Sequence, residues 1–309
     1  WRALFLKELP MKAFRLFAFL AAAWPVFAHA ALNVFACEPE WGALATELGG
    51  SDVKVYTATT AFQDPHRIEA RPSLIAQMRR ADLAVCTGAE LEIGWLPVLL
   101  RQAGNAAIQP GQPGYFEAAR QVALLEKPAV LDRAQGDIHA AGNPHIQTDP
   151  RNIARVAQAL GARLAEIDPA HAAAYQTRLA DFNTRWNAAM TRWQAQAAPL
   201  KGLPIAVQHE GFPYMENWLG LKQVAVLEPK PGVAPSIGHL AEIVAQLKTT
   251  PARVVIRAAY QDPRPSEWLG QHAGIPVVAM PFTVGGSDRA KDLFGLFDDS
   301  VAQLLKVAR

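Results

Sequence analysis

The sequence predicts an α/β protein made of two doubly wound lobes joined by a long helix. Three observations carry this. Short apolar runs alternate with helical patterns from residue 31 to about 149, and the same rhythm resumes after residue 203. Between them one amphipathic pattern is sustained over about 27 residues, or roughly 40 Å of helix. Strands alternating with helices favour a parallel sheet covered on both faces. Ligands then usually bind at the carboxyl ends of the strands, here in a cleft between the lobes. The 309 residues, half of them hydrophobic and 19% charged, suffice for two domains with full cores. They divide as 1–30, upstream residues and a signal peptide; 31–167, a first lobe; 168–197, a linking helix; and 198–309, a second lobe.

Residues 11–30 have a basic start, an apolar stretch and Ala28-His29-Ala30, the form of a secretory signal cleaved after Ala30. The apolar run is short for a membrane span of about 20 residues. Residues 1–10 lie upstream of a natural-looking start at Met11, and no cysteine follows the cleavage site to carry a lipid. The expected compartment is therefore the periplasm. Four of the 30 basic and one of the 28 acidic side chains fall within 1–30, which leaves 26 and 27, about −1 overall. A near-neutral chain without basic clusters gives no reason to expect nucleic acid as a partner.

In the first lobe, strands are expected at 32–36, 53–57 and 83–86, with a weaker one at 106–108. Helices are expected at 41–48, 73–80 and 93–102. Residues 116–122 suggest a helical turn, and 130–132 are ambiguous. Cys37 and Cys86 each fall at the carboxyl end of an apolar run. Neighbouring strands would bring them within bonding range, and export favours a disulfide. Two separate buried thiols are the alternative; a cysteine metal site lacks the usual C-x-x-C spacing. A helix over 151–166 carries Ile153, Val156, Leu160 and Leu164 on one stripe. Asp168-Pro169 then opens the long one, with Tyr175, Leu179, Phe182, Trp186, Met190 and Trp193 stepping by three and four. It either runs along both lobes as a spine or covers one sheet at the surface. In the second lobe, strands are expected at 203–207, 223–226, 253–256 and 276–280, and helices at 211–219, 237–247, 265–272 and 288–307.

Three histidines sit at strand ends or helix entries: His66 in Asp64-Pro65-His66, His145 in Gly142-Asn143-Pro144-His145, and His209 after the run 203–207. Thr148-Asp149-Pro150 reads as a helix start, so His145 lies on a loop just before it. No pair has i, i+4 spacing, so only the fold can bring them together. Three imidazole nitrogens and one carboxylate oxygen complete a tetrahedron around Zn2+. Mn2+ sites take more oxygens, so this set favours zinc, while affinity order alone leaves Cu2+ and Ni2+ open. His139, six residues before His145, is a candidate relay or stand-in ligand. Asp149 and Glu210 either orient imidazoles or are plain helix-end charges. His171, His239 and His272 read as solvent-facing or helix-end groups.

In order and spacing these motifs, with Leu91-Glu-Ile-Gly-Trp95, Pro231-Gly-Val-Ala-Pro-Ser236 and Thr283-Val-Gly-Gly-Ser-Asp288, resemble the zinc- and manganese-binding solute receptors of ABC importers, the cluster A-I or ZnuA/TroA-like family. The resemblance covers residues 31–309. It implies two α/β lobes joined by a rigid helix with the metal buried between them. Carried over by position, the histidine ligands fall on His66, His145 and His209, and the carboxylate ligand on Asp288, with Asp292 as the alternative. The implied function is a monomeric periplasmic receptor, not an enzyme, that passes zinc to an inner-membrane permease. Two departures stand out: the long His-rich loop of many zinc receptors is missing, and Arg257 stands where many members have glutamate. An exported zinc hydrolase competes with this reading, with Glu210 as its base, although H-E-x-x-H is absent and a catalytic zinc needs an open position. A metal-binding adhesin or buffer of the same fold is the third reading.

Overall fold

Apolar runs become strands where both faces are covered, and among the described residues every strand lies in a parallel sheet. The computed structural model describes residues 30–129 and 136–308, so the signal segment and residues 130–132 lie outside what is described. In the first half, β1 (Leu32–Ala36), β2 (Val53–Thr57), β3 (Leu83–Cys86) and β4 (Tyr115–Glu117) form a sheet of order β2-β1-β3-β4. In the second, β5 (Pro204–Val207), β6 (Lys222–Val226), β7 (Val254–Ala258) and β8 (Val277–Met280) form one of order β6-β5-β7-β8. All pairings are parallel, with Val34 beside both Val55 and Leu83, and Ile205 beside Val254. The halves thus share one strand order without a visible sequence repeat.

Helices α1 (Pro39–Gly49), α2 (Pro72–Arg80) and α3 (Leu96–Ala103) belong to the first half, and α6 (Pro213–Leu219), α7 (Ile237–Leu247), α8 (Pro263–Ala273) and α9 (Leu293–Val307) to the second. Several open on proline, whose missing N–H costs nothing in the first turn. Between the halves run α4 (Pro150–Ile167) and α5 (Ala172–Gln196). Among the described residues no helix is long and apolar enough to cross a membrane.

Alternation along the strands sorts the cores. Val34, Ala36, Leu83 and Val85 face one large cluster that also takes Ile205, Val207, Val254 and Ile256 from the second sheet. Phe35, Ala84 and Cys86 face a separate outer cluster, as Ala206 and Val255 do in the second half. The shared cluster is built on α5, whose Tyr175, Phe182, Trp186 and Trp193 are fully buried. Towards its start, Arg178 bonds Asp52 at 2.6 Å and the Leu48 carbonyl at 2.8 Å, both in the first half. Towards its end, the Trp193 indole donates to Asp298 of α9 at 2.6 Å, and Trp186 packs edge-on against Phe294 and Phe297. The long helix is therefore a spine shared by both halves rather than a cover on one sheet.

Cys37 and Cys86, at the ends of adjacent strands with Cα atoms 4.8 Å apart, form a disulfide. Four sequence expectations shift. Residues 106–108 form a 3-10 turn, because the Asn105 side chain accepts from the Ala107 N–H; the fourth strand is β4, which takes the start of the expected 116–122 turn. Helix α3 starts at Leu96, after turns through 91–95. A 3-10 turn, Pro169–His171, precedes α5. Helix α9 starts at Leu293 because Asp292 caps it, accepting from the Gly295 N–H at 2.7 Å, so Asp288 stands in the preceding loop.

Candidate metal centre

Each histidine is placed by a separate local device. After β2, Asp64 Oδ1 accepts from the His66 backbone N–H at 3.0 Å and meets its Nδ1 at 2.8 Å, a turn closed on its own side chain. The buried Trp95 indole donates to the Pro65 carbonyl at 2.9 Å, and at Gly94 a Cβ would come within 3.1 Å of the His66 carbonyl. The Leu91–Trp95 motif thus braces this loop.

His145 leaves a turn that needs Gly142 at φ 121°, where a Cβ would meet the Leu125 carbonyl at 2.7 Å. Asn143 Oδ1 accepts from the His145 N–H at 3.0 Å, while its amide donates to the Glu210 carbonyl across the cleft at 2.7 Å. Asp149 caps α4 and pairs with Arg151, so it serves the helix and not the imidazole. His209 follows β5, and Glu228, after β6, takes its Nδ1 at 2.7 Å.

The three rings converge. Ring centres are 5.2 Å apart for His66–His145, 5.8 Å for His66–His209 and 5.4 Å for His145–His209. One donor nitrogen from each lies within 4.8 Å of the others, and the Nε2 atoms of His145 and His209 are 3.3 Å apart. The carboxylates on Nδ1 fix the tautomers of His66 and His209 and turn their Nε2 lone pairs inward. Buried His66 Nε2 has no hydrogen-bond partner among the described residues. An orphaned buried nitrogen among two other imidazoles is a donor set suited to Zn2+. Phe282, in the left-handed region at φ 57°, presses its ring against His145 at 5.3 Å.

Electrostatics act on the group in opposite directions. Burial, then the charges of His66, His209 and His139, push His145 well below the usual histidine range. Burial, then the charges of His66 and His209, lower His139 to about 4. Burial opposes charge on His209 too, but the Glu228 hydrogen bond and charge outweigh it and raise this group. Burial raises Asp64 while its bond with His66 pulls it down, and the net shift is downward.

Not every expected residue joins the group. Asp288 is exposed and stands outside the convergent set, as does Asp292, which is exposed and occupied in capping α9. The His139 ring lies 5.4 Å from that of His66 but is not one of the three. It sits between two openings of about 410 and 380 Å³, the first lined by Glu126, Asn143, His145, His209 and Glu210, the second by His66, Arg67 and Glu90. His171, His239 and His272 occupy helix ends with partners of their own. Arg257 donates to the carbonyls of Ala258 and Gln261, away from the histidines. Sequence reasoning missed the roles of Asp64 and Glu228. The i, i+2 spacing to His66 signalled the first; for the second the only signal was a carboxylate just past the strand neighbouring that of His209.

Fold and geometry define a bilobed α/β protein with a histidine-lined candidate metal site in the cleft between its halves. Residues 34–307 match the family described as ZnuA, zinc-uptake complex component A, periplasmic, and the chain belongs to that family. The high-affinity zinc uptake system protein ZnuA of Brucella abortus is 28% identical over 120 residues, 39% of this chain and 36% of that protein. The match thus spans about a third of that curated relative's length. A crystal structure of ZnuA superposes with a TM-score of 0.72 at 21% identity, covering 89% of this chain and 99% of that one. A manganese-bound periplasmic metal-binding protein from Candidatus Liberibacter asiaticus gives 0.72 at 13% identity, covering 90% and 100%.

Proposed function

We propose that this protein is an exported, monomeric receptor that captures zinc in the periplasm and delivers it to the permease of an ABC importer. The observation that carries the reading is the convergence of three imidazoles, two of them, His66 and His209, with Nδ1 engaged by carboxylates, and His66 with its Nε2 buried and orphaned. His66, His145 and His209 are the proposed protein ligands, with solvent from the cleft in the fourth position. A nitrogen-rich set favours zinc over manganese. The relatives named for zinc uptake support the cargo, and the family's periplasmic description supports the compartment. In this reading 31–167 and 198–309 are the two lobes, and 168–197 is the helix between them.

An open fourth position would also suit a hydrolytic zinc. Membership of a family of uptake components weighs against that second reading. The test is metal analysis of the purified protein followed by competitive zinc titration. His66→Ala, His145→Ala and His209→Ala should each weaken zinc by about two orders of magnitude or more, since each removes a bond in a buried site. Asp288→Ala should change affinity less than any of the three. A loss at Asp288 matching that at His145 would return the aspartate to the ligand set. Turnover of esters or phosphoesters that disappears with His145→Ala would favour the hydrolase.

A further inference from the structure

Phe282, whose ring lies against His145, also lines a second cavity, of about 20 Å³. That is room for one water or one monatomic ion and no more. Its polar lining includes Glu38, Glu40, Thr59, Gln147, Tyr260 and Thr283, with Thr60 and Gln63 beside them. Glu38, Glu40 and Gln147 are only 2–3% exposed. Glu38 Oε1 and Gln147 Oε1 are buried with no hydrogen-bond partner among the described residues.

The lining combines carboxylates with neutral amides and hydroxyls. The Thr59 hydroxyl donates to the Cys37 carbonyl at 2.9 Å, and that of Thr283 donates to Glu40 Oε2 at 2.5 Å. Both hydroxyl hydrogens are spent, which leaves lone pairs for any occupant. Among the described residues no lysine, arginine or histidine lines the cavity. A buried carboxylate without a counter-charge is costly. Accordingly burial, then the charges of Glu92 and Glu40 and a hydrogen bond shared with Glu92, push Glu38 well above the usual carboxylate range, and burial lifts Glu40 to about 7. Two orphaned acceptors and two carboxylates around an ion-sized space call for a positive occupant.

We propose that this cavity is a second cation site, binding a hard, oxygen-preferring cation of the Ca2+ class through Glu38, Glu40 and Gln147, with the hydroxyls of Thr59, Tyr260 and Thr283 completing its wall. Oxygen-only ligands and the lack of space for bound waters favour Ca2+ over Mg2+, which gives up its waters reluctantly. Glu38, Glu40 and Thr59 come from the first half, and Tyr260 and Thr283 from the second. The ion therefore bridges the halves beside the three-histidine site. The proposal does not depend on the zinc reading, since the two sites share no ligand and differ in donor element.

The test uses the mature chain with its histidine site saturated by zinc. Calcium is titrated by calorimetry, and Tb3+ luminescence excited through aromatic rings serves as the probe. The wild type should bind one Ca2+ per chain, displace Tb3+ stoichiometrically, and show few Tb3+-coordinated waters when lifetimes in H2O and D2O are compared. Glu40→Gln and Gln147→Leu should each weaken calcium by about tenfold or more through loss of ligand charge or number, with zinc affinity unchanged. Wild-type protein that binds zinc but takes up no calcium would overturn the proposal and leave the cavity to a single water. Tb3+ bound only with a full water complement would also overturn it, as a surface site, even if a variant failed to fold.

Discussion

His66 and His209 present the same part to the candidate site, an imidazole with its Nδ1 on a carboxylate, yet the two halves build it differently. Asp64 lies two residues from His66, on the same turn, with its side chain 38% exposed. Glu228 lies 19 residues from His209, on the loop after the neighbouring strand, is 13% exposed, and also accepts from the Gly232 N–H at 2.8 Å. One orienting carboxylate is supplied by local chain chemistry and the other by sheet register. Water can substitute for a half-exposed partner more readily than for a buried one, so the non-local carboxylate should matter more.

Zinc affinity of Glu228→Gln and Asp64→Asn breaks or sharpens this comparison. Loss of a group that orients a metal-bound histidine commonly costs about 10–100-fold. Glu228→Gln should fall at the upper end and Asp64→Asn at the lower, by competitive titration. Equal losses would show that burial does not set the ranking.

A smaller effect separates the two in pH. A metal must displace any proton on Nε2, so affinity falls as pH drops through the pKa of a ligand. His145 sits well below the usual range and His209 above it, so His209 should set the onset in the wild type, on the alkaline side of about 6.5. Glu228→Gln removes the largest influence raising His209 and should move the onset to lower pH even as it weakens binding. An onset that stays put in this variant would assign the titration to another group.

The same contrast explains what was legible. Runs such as Leu32–Ala36 and Leu83–Cys86 declare themselves because a buried parallel strand needs apolar residues on both faces. The stripe from Tyr175 to Trp193 was readable for the same reason, with Ala189 buried where Met190 was expected to point fully inward. Strand β4 was hidden because three residues at a sheet edge carry little pattern, and Asn105 created a competing turn. Among site groups, the histidines were visible by placement, and Asp64 by adjacency. Glu228, Phe282 and the Glu38–Gln147 cavity depend on which strands are neighbours, which no local pattern records. Asp288, to which the resemblance points, lies in the loop before the Asp292 cap and is exposed.

The aromatic seam along α5 sets how such a protein can open. Trp186 and Trp193 are wholly buried among Phe182, Phe294 and Phe297, between α4 and α9. An aromatic side chain buries about 150–250 Å², which at about 25 cal/mol/Å² is about 4–6 kcal/mol each. A hinge through this seam would have to expose several at once. Cargo should therefore enter and leave by rearrangement of the histidine-bearing loops while the body stays fixed. X-ray scattering profiles of zinc-free and zinc-loaded protein should nearly coincide; a marked contraction on loading would mean that the indole seam itself bends.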